Sequence, residues 1–267
     1  MESDSPQSSA SFFVRNEFLI RRLHSLSGLI PVGLYMVIHL TANASILNGV
    51  DAFQNVVYMI HSLGNGLWLV EWVFIYLPIL FHAGLGFWFI FQAKSNISNY
   101  PTTANFRYVM QRVTGMIAFV FIFWHVFHLN GLIHAAWFRD AIADPIGLAQ
   151  FRPYNAASTA ARALQSPLVS FFYIVGTLAC VFHFANGLWT MGITWGVWVS
   201  PKAQAWASKA CLGMGAVIAV IGLSALVGFL RVDADAAEAR ERQMYERRVE
   251  DGSVFADDHK LLESDSK

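Results

Sequence analysis

Residues 167–195 read PLVSFFYIVGTLACVFHFANGLWTMGITW. This stretch contains one histidine, His183, and no aspartate, glutamate, lysine or arginine. About 20 apolar residues in a helix are enough to cross the hydrocarbon core of a bilayer. The stretch therefore predicts a transmembrane helix that carries one ionisable side chain in its second half.

Four other stretches of the chain have the same apolar character. The chain has 267 residues, of which 55% are hydrophobic and only 13% are charged, too apolar a composition for an ordinary soluble domain. The five predicted spans are 23–46, 67–93, 107–133, 167–195 and 206–230. We therefore expect an all-α integral membrane protein, a bundle of five transmembrane helices. The predicted organisation is an N-terminal segment at 1–20, a membrane domain at 21–230 and a charged tail at 231–267.

The basic residues outside the spans predict the orientation of the bundle. They concentrate before the first span (Arg15, Arg21, Arg22), between the second and third (Lys94, Arg107, Arg112) and between the fourth and fifth (Lys202, Lys209). The loop at 43–66 has neither lysine nor arginine, and the arginines of the loop at 131–166 are partly balanced by aspartates. Because basic loops stay in the cytoplasm, we expect a cytoplasmic N-terminus and, with five spans, an external C-terminus.

Four of the spans each contain a histidine at a depth that can be counted. His39 and His125 lie only about one to two helical turns from the outer ends of their spans, whereas His82 and His183 lie about 15 to 16 residues from theirs. At about 1.5 Å per residue, the two levels are about 15 Å apart. The counting predicts an outer pair, His39 with His125, and an inner pair, His82 with His183.

Two imidazoles that face each other at one depth suit a haem iron. A single histidine in a span often only forms a hydrogen bond to a neighbouring helix. Two pairs matched in depth favour ligation instead, because two axial imidazoles give a six-coordinate haem suited to electron transfer. The pattern predicts two haems, one near each face of the membrane.

The sequences around the histidines repeat from span to span. RRLHSLSG at 21–28 corresponds to QRVTG at 111–115, and LFHAGLGFW at 80–88 corresponds to VFHFANGLW at 181–189. We expect Gly84, Gly86 and Gly187 to leave room for a flat macrocycle beside the ligands.

The strings RRLHSLSGLIPVGLYMVIHL, QRVTGMIAFVFIFWHV and FHFANGLWTMGITWG closely resemble a known family. They resemble the diheme cytochrome b subunit, of the five-helix type, of bacterial succinate:quinone and quinol:fumarate oxidoreductases. The resemblance covers about 15–230. It implies a multi-pass anchor in the bacterial cytoplasmic membrane that binds two b haems, a flavoprotein subunit and an iron–sulfur subunit, and works in the tricarboxylic acid cycle.

The resemblance also implies a direction for electrons. They would pass from the iron–sulfur subunit through the inner haem of His82 and His183 to the outer haem of His39 and His125, and then to a quinone, with menaquinone the expected type. The dicarboxylate site would lie on another subunit, since this chain has no dinucleotide-binding fingerprint and no cysteine cluster.

Further candidates concern the ends of the spans. Haem propionates need donors, and the candidates are Arg22, His24, Ser25 and Arg112. Alternatively, the two arginines only mark the cytoplasmic interface, and for Tyr108 and Gln111 such a structural role is favoured.

Glu71 is the only carboxylate inside the predicted spans, which makes it a candidate for the quinone site. An interfacial glutamate that simply reaches water is an equal alternative. The tail is expected to begin as a solvated helix and to end in disorder.

Two other functions remain open from the residues alone. The chain resembles other cytochromes b in having histidine pairs, so a haem subunit of a hydrogenase or a formate dehydrogenase is an alternative. A purely structural anchor, with histidines that bind nothing, is another. The identity of co-purifying subunits separates the first alternative from the succinate-linked function, and the haem content separates the second.

Overall fold

The computed structural model describes residues 15–64, 66–131, 139–254, 257 and 260–262. The regular secondary structure in these ranges is all helical, and five of the helices are long and apolar enough to cross a membrane. These five are α1 (Glu17–Asn48), α3 (Gly66–Gln92), α4 (Thr103–Asn130), α6 (Pro167–Thr194) and α7 (Pro201–Leu230). Three shorter helices are α2 (Val50–His61), α5 (Ala156–Leu164) and α8 (Ala234–Glu250). The last residues of the predicted span 107–133 and most of the segment 1–20 lie outside the described residues.

The five long helices match the five predicted spans, but three of them begin earlier than predicted. Helices α1, α4 and α7 each start with a polar turn that hydropathy excludes from a span. Side-chain caps stabilise two of these starts, since Thr102 accepts a hydrogen bond from the Asn105 amide and Ser200 accepts one from the Ala203 amide. The membrane helices therefore extend beyond the bilayer core at one end of the bundle.

Helix α6 occupies the centre of the bundle. It packs extensively against α4 and α7, and the second half of α1 packs against α7. Small residues permit this closeness: a Cβ added to Gly222 of α7 would lie 3.0 Å from Thr177 of α6 and 3.3 Å from Leu40 of α1. Helix α3 is peripheral, because it contacts mainly α1 and touches α4 only slightly. The weak contact leaves space between α3 and the rest of the bundle.

Three of the membrane helices contain π-helical turns. These turns are Gly28–Gly33 in α1, Trp72–Tyr76 in α3 and Val126–Asn130 at the end of α4. In α1 the turn includes Pro31, which has no amide proton for the regular helical ladder. Such turns often occur at functional sites because they shift the side chains that follow them. Here they lie beside the residues predicted to be functional.

One end of the bundle carries lysines and arginines with few acidic residues beside them, and will be termed the basic end. Helices α1, α4 and α7 begin there, and α3 and α6 end there. The opposite end is covered by α2, α5 and α8, and will be termed the capped end. Helix α5 lies beneath α8, and all of its residues except Arg162 are buried.

The tail differs from the expected solvated helix. Helix α8 is indeed helical, but one face packs against α5 and α2. The carboxylate of Glu241 in α8 is fully buried and accepts hydrogen bonds from the amides of Ala157 and Ser158 and from the Ser158 hydroxyl, at 2.6, 3.3 and 2.5 Å. Glu241 thus binds the N-terminus of α5, where free amide groups attract a negative charge. This contact between distant segments has no signature in the charge pattern of the tail.

Candidate functional site

A continuous cavity of about 1410 Å³ runs through the bundle between α3 and the other helices. All four predicted ligands line it: His39, His82, His125 and His183. Drug-sized ligands occupy pockets of about 300–1,000 Å³, so the cavity has room for more than one such group. The predicted site residues therefore share one interior space that extends along the membrane normal.

The structure brings His82 of α3 and His183 of α6 together near the basic end. Their ring centroids lie 6.1 Å apart at an interplanar angle of 87°. The Nδ1 atom of His82 lies 2.9 Å from the carbonyl oxygen of His24, and that of His183 lies 3.0 Å from the carbonyl oxygen of Gln111. A carbonyl oxygen only accepts, so each Nδ1 carries the proton and each Nε2 keeps a free lone pair.

Two glycines make these contacts possible. A Cβ added to Gly28 would lie 2.3 Å from the His82 ring, and one added to Gly115 would lie 2.9 Å from the His183 ring. Each glycine lies four residues after the residue whose carbonyl accepts the imidazole hydrogen bond. The imidazole ring therefore occupies the space that a side chain would fill on that helical turn. The repeat of RRLHSLSG and QRVTG is therefore a repeat of two imidazole-binding turns.

The glycines predicted to leave room for a macrocycle are three others, Gly84, Gly86 and Gly187. Gly84 has no described atom within 4 Å of an added Cβ, Gly86 faces His24 at 3.5 Å, and Gly187 faces Gln111 at 3.3 Å. They lie on the helices that carry the ligands, whereas the close approaches occur on the neighbouring helices. Gly86 and Gly187 line the cavity, and the expectation that these three glycines leave room for a macrocycle stays a prediction beside the imidazole contacts of Gly28 and Gly115.

A chain of polar side chains supports His183 from the basic end. The Gln111 amide donates to the His183 carbonyl at 3.0 Å and accepts from Asn186 at 2.6 Å. Asn186 in turn accepts from the Arg107 guanidinium at 2.7 Å, which also donates to the Ser208 hydroxyl at 2.8 Å. Gln111, for which an interfacial role was favoured from the sequence, thus forms part of the site.

The structure also brings His39 of α1 and His125 of α4 together, nearer the capped end. Their ring centroids lie 5.8 Å apart at an interplanar angle of 77°. Tyr35 stacks on His39 and Phe121 stacks on His125, so aromatic rings flank both imidazoles. The Nδ1 atom of His125 lies 3.1 Å from the hydroxyl oxygen of Tyr173. This pair is therefore supported by side chains rather than by the main chain.

The pattern of one histidine in each of four spans omits a further buried histidine, His128. It lies in α4 one turn after His125, is 4% exposed, and stacks on Trp124 with ring centroids 4.2 Å apart. Its Nδ1 atom lies 3.1 Å from the same Tyr173 hydroxyl that contacts His125. The spacing of three residues between the two histidines is the sequence signal that identifies it.

Three of the four propionate candidates lie as expected at the basic end. His24, Ser25 and Arg112 line the cavity, and His24 stacks on His82 with ring centroids 4.0 Å apart. The His24 Nδ1, Arg22 Nε and Arg112 Nε atoms are buried and have no hydrogen-bond partner among the described residues. Arg22 differs, because its guanidinium lies over the rings of Phe18 and Trp195 and does not line the cavity.

Arg21, which was not among the candidates, also lines the cavity. Arg21 lies three residues before His24, on the same helical face, and forms an ion pair with Glu17 at 2.6 Å. Successive residues on a helix point about 100° apart, so Arg22 is rotated away. Because the two arginines are adjacent, the sequence alone does not show which one faces the cavity.

Glu71 lies on α3 immediately before the π-helical turn Trp72–Tyr76. It is half-buried, lines the cavity, and is close enough to Tyr35 and Tyr76 to interact with both electrostatically. Its carboxyl group therefore faces the interior space at about the level of the His39–His125 pair, because Glu71 lies 11 residues before His82 and His39 lies 11 residues after Gly28, which contacts His82.

Comparisons with known proteins agree with this architecture. Residues 91–223 match the family described as succinate dehydrogenase/fumarate reductase transmembrane subunit. The succinate dehydrogenase cytochrome b558 subunit of Bacillus subtilis (strain 168) is 36% identical over 214 residues, which are 80% of this chain and 98% of the relative. The chain therefore belongs to this family, as the multi-pass membrane-anchor subunit of a succinate dehydrogenase or fumarate reductase complex.

Proposed function

We propose that the chain is the diheme cytochrome b of a bacterial succinate:menaquinone oxidoreductase in the cytoplasmic membrane. The observation that carries this proposal is the presence of two facing imidazole pairs, His39–His125 and His82–His183, in one cavity. The relative is named a cytochrome b558 subunit, which supports b-type haem. Membership of this family disfavours the hydrogenase and formate dehydrogenase alternatives.

The donor set of each pair fits a haem iron. The ring centroids of the two pairs lie 5.8 and 6.1 Å apart, which would leave room for one iron ion held by a nitrogen of each ring. Among the described residues no group of three or more histidines, cysteines or carboxylates could hold a bare metal ion. A macrocycle that supplies the other four donors agrees with both facts. When bound, haem b supplies one-electron redox chemistry.

The basic end offers donors to anionic groups. Arg21, His24, Ser25 and Arg112 line the cavity beside the His82–His183 pair. The buried His24 Nδ1 and Arg112 Nε atoms, which have no protein partner in the described ranges, are suited to haem propionates. We assign the propionate contacts of this pair to these four residues, with Arg21 in the place of Arg22.

The orientation follows from the charge difference between the two ends. The basic end faces the cytoplasm by the positive-inside rule, so the N-terminus is cytoplasmic and the capped end is external. The iron–sulfur and flavoprotein subunits bind at the cytoplasmic side. Electrons therefore enter at the level of His82 and His183 and leave at the level of His39 and His125. The dicarboxylate-active site lies on the flavoprotein, not on this chain.

A quinone binds near the external end of the cavity in this proposal. Glu71, Tyr35 and Trp72 line the cavity there, and the carboxyl group of Glu71 can exchange a proton with a quinone oxygen. The aromatic side chains around it exclude water and provide flat apolar surfaces for a quinone ring. Reduction at an external site suits a low-potential quinone, which is why menaquinone is proposed.

Haem analysis of the purified complex tests the proposal. A pyridine haemochrome assay should give two haem b per chain, and a redox titration should resolve two components. A covalent flavin should co-purify in the same complex. One haem or none per chain, or co-purification with a nickel or molybdenum subunit, would overturn the assignment.

A further inference from the structure

The hydroxyl group of Tyr173 lies between two imidazoles. Its oxygen is 3.1 Å from Nδ1 of His125 and 3.1 Å from Nδ1 of His128. Tyr173 is 8% exposed and His128 is 4% exposed, so water has little access to either. The phenol comes from α6 and both histidines come from α4, which places the three groups in one helix interface.

The hydrogen-bond inventory of these three groups determines the direction of each bond. A neutral imidazole that binds iron through Nε2 carries its proton on Nδ1, so His125 donates to the Tyr173 oxygen. The tyrosine has one proton of its own, which it then donates to the other neighbour, Nδ1 of His128. His128 is thereby the final acceptor of a directed chain that begins at a predicted ligand.

At the His82–His183 pair, the acceptors of the Nδ1 protons are of a different kind. His82 and His183 donate to main-chain carbonyls, which can only accept. A tyrosine oxygen that itself donates onward becomes a better acceptor, because hydrogen bonds in a chain polarise one another. The acceptor strength of Tyr173 toward His125 thus depends on His128, which lies outside the cavity lining.

We propose that Tyr173 and His128 form a relay that positions His125 and sets the redox potential of the group that His125 binds. The proposal rests on the proposed haem function of the His39–His125 pair. Tyr173 and His128 are positioning residues in this role, since they act through His125. Trp124, stacked on His128, holds the end of the relay in place.

Removing the relay should raise the potential of one haem only. An acceptor on Nδ1 makes an imidazole a stronger electron donor to iron, which favours the oxidised state. Tyr173→Phe removes this acceptor, so the external component should titrate at a higher potential than in the wild type. His128→Phe leaves the tyrosine in place and removes only the polarisation, so its upward shift should be smaller.

Two substitutions at His128 separate the relay from simple packing. His128→Phe keeps a ring to stack on Trp124 but removes the acceptor, whereas His128→Asn keeps an acceptor near the position of Nδ1 but removes the ring. In the relay, the asparagine variant has a potential nearer to the wild type than the phenylalanine variant. If His128 only fills space, the order of the two variants is reversed and the proposal fails.

The experiment is a redox titration of the complete complex in membranes, monitored by absorption, with the haem content measured in each sample. The matched control is Tyr58→Phe, which removes a buried hydroxyl at the capped end that has no hydrogen-bond partner in the described chain. Tyr58→Phe should leave both components unchanged. The redox potential of the inner haem, assigned to His82 and His183, should stay constant in every variant.

The outcomes distinguish this proposal from the proposed function. A wild-type complex without two haems overturns the proposed function itself. Two haems in the wild type and an unshifted external component in Tyr173→Phe overturn the relay alone. If Tyr173→Phe does not assemble, the comparison of His128→Asn with His128→Phe decides, because both variants retain the tyrosine.

Discussion

The two histidine pairs have nearly equal ring separations, yet the protein holds them by different means. At the basic end, the main chain of α1 and α4 accepts the hydrogen bonds of His82 and His183, and Gly28 and Gly115 make room for the rings. Near the capped end, His125 depends on the Tyr173 side chain.

Because of this difference, the two pairs should respond to different substitutions. A backbone carbonyl stays in place when its own side chain changes, so the basic-end pair should depend chiefly on the glycines that make room for the rings. The pair near the capped end should respond to side chains and to the cover formed by α2, α5 and α8.

The largest effect is expected from Gly28→Ala. Its Cβ would lie 2.3 Å from the His82 ring, so either the ring or the helix must move and the carbonyl contact is lost. We expect the variant complex to retain only the haem of the capped-end pair, which a pyridine haemochrome assay would show as a fall from about two to about one haem per chain.

Two alanine controls sharpen this prediction. Gly213 on α7 has no described atom within 4 Å of an added Cβ, so Gly213→Ala should retain both haems. Gly84→Ala tests the sequence-based prediction that this glycine leaves room for a macrocycle. If Gly84→Ala lost a haem while Gly28→Ala kept both, the assignment of the imidazole-binding turns would be wrong.

Glu71→Gln should reduce quinone turnover without removing a haem. The substitution keeps the size of the side chain but removes the group that exchanges a proton, and general acid–base groups contribute about 100-fold or more to rate. Succinate oxidation with the native quinone should therefore fall by about 100-fold. Dye-linked succinate oxidation, which bypasses the membrane anchor, is the control and should stay unchanged. Normal quinone turnover in this variant would exclude Glu71 from the quinone site.

Glu241→Ala should loosen the cover of the capped end. The substitution leaves the amides of Ala157 and Ser158 buried without an acceptor, which costs about 2 kcal/mol. Hydrogen exchange of the α5 and α8 amides should accelerate by about 30-fold. Glu246→Ala, at an exposed position of the same helix, is the matched control. Equal exchange in the two variants would show that the buried carboxylate does not hold the cover.

A change of pH should have a smaller effect on the stability of the α5–α8 contact than Glu241→Ala. Burial raises the pKa of Glu241, although hydrogen bonds from Ser158 and Ala157 oppose the shift. A carboxyl group with a raised pKa in the folded state binds its proton more tightly there, so its contribution to stability is complete below the unfolded pKa of about 4.3. That contribution declines as pH rises through the folded pKa. The protection factors of the α8 amides, which correct for the intrinsic pH dependence of exchange, should therefore be higher at acidic pH, and Glu241→Gln should flatten this dependence.

The sequence predicted the features that depend on one helix at a time. Hydropathy identified all five spans, and counting residues from the span ends matched His39 with His125 and His82 with His183, as the ring distances now show. Depth along a helix follows from a constant rise per residue, so it can be read without knowing the neighbours.

Features that depend on contacts between helices were not predicted. Gly28 and Gly115, which approach the imidazole rings, lie on other helices than the rings themselves. Glu241 binds α5 across more than 80 positions of sequence. Arg21 and Arg22 are adjacent, and only the structure distinguishes the one that lines the cavity. His128 was missed because the pattern of one histidine per span ended with His125. Packing partners of this kind are set by the tertiary arrangement, which local periodicity does not encode.

The most direct test of two separate axial pairs is a set of four single variants, His39→Ala, His82→Ala, His125→Ala and His183→Ala, examined by redox-resolved difference spectra of the complex. We predict that the His82 and His183 variants lose the same spectral component and that the His39 and His125 variants lose the other. Loss of one component by both the His39 and the His82 variants would contradict the pairing.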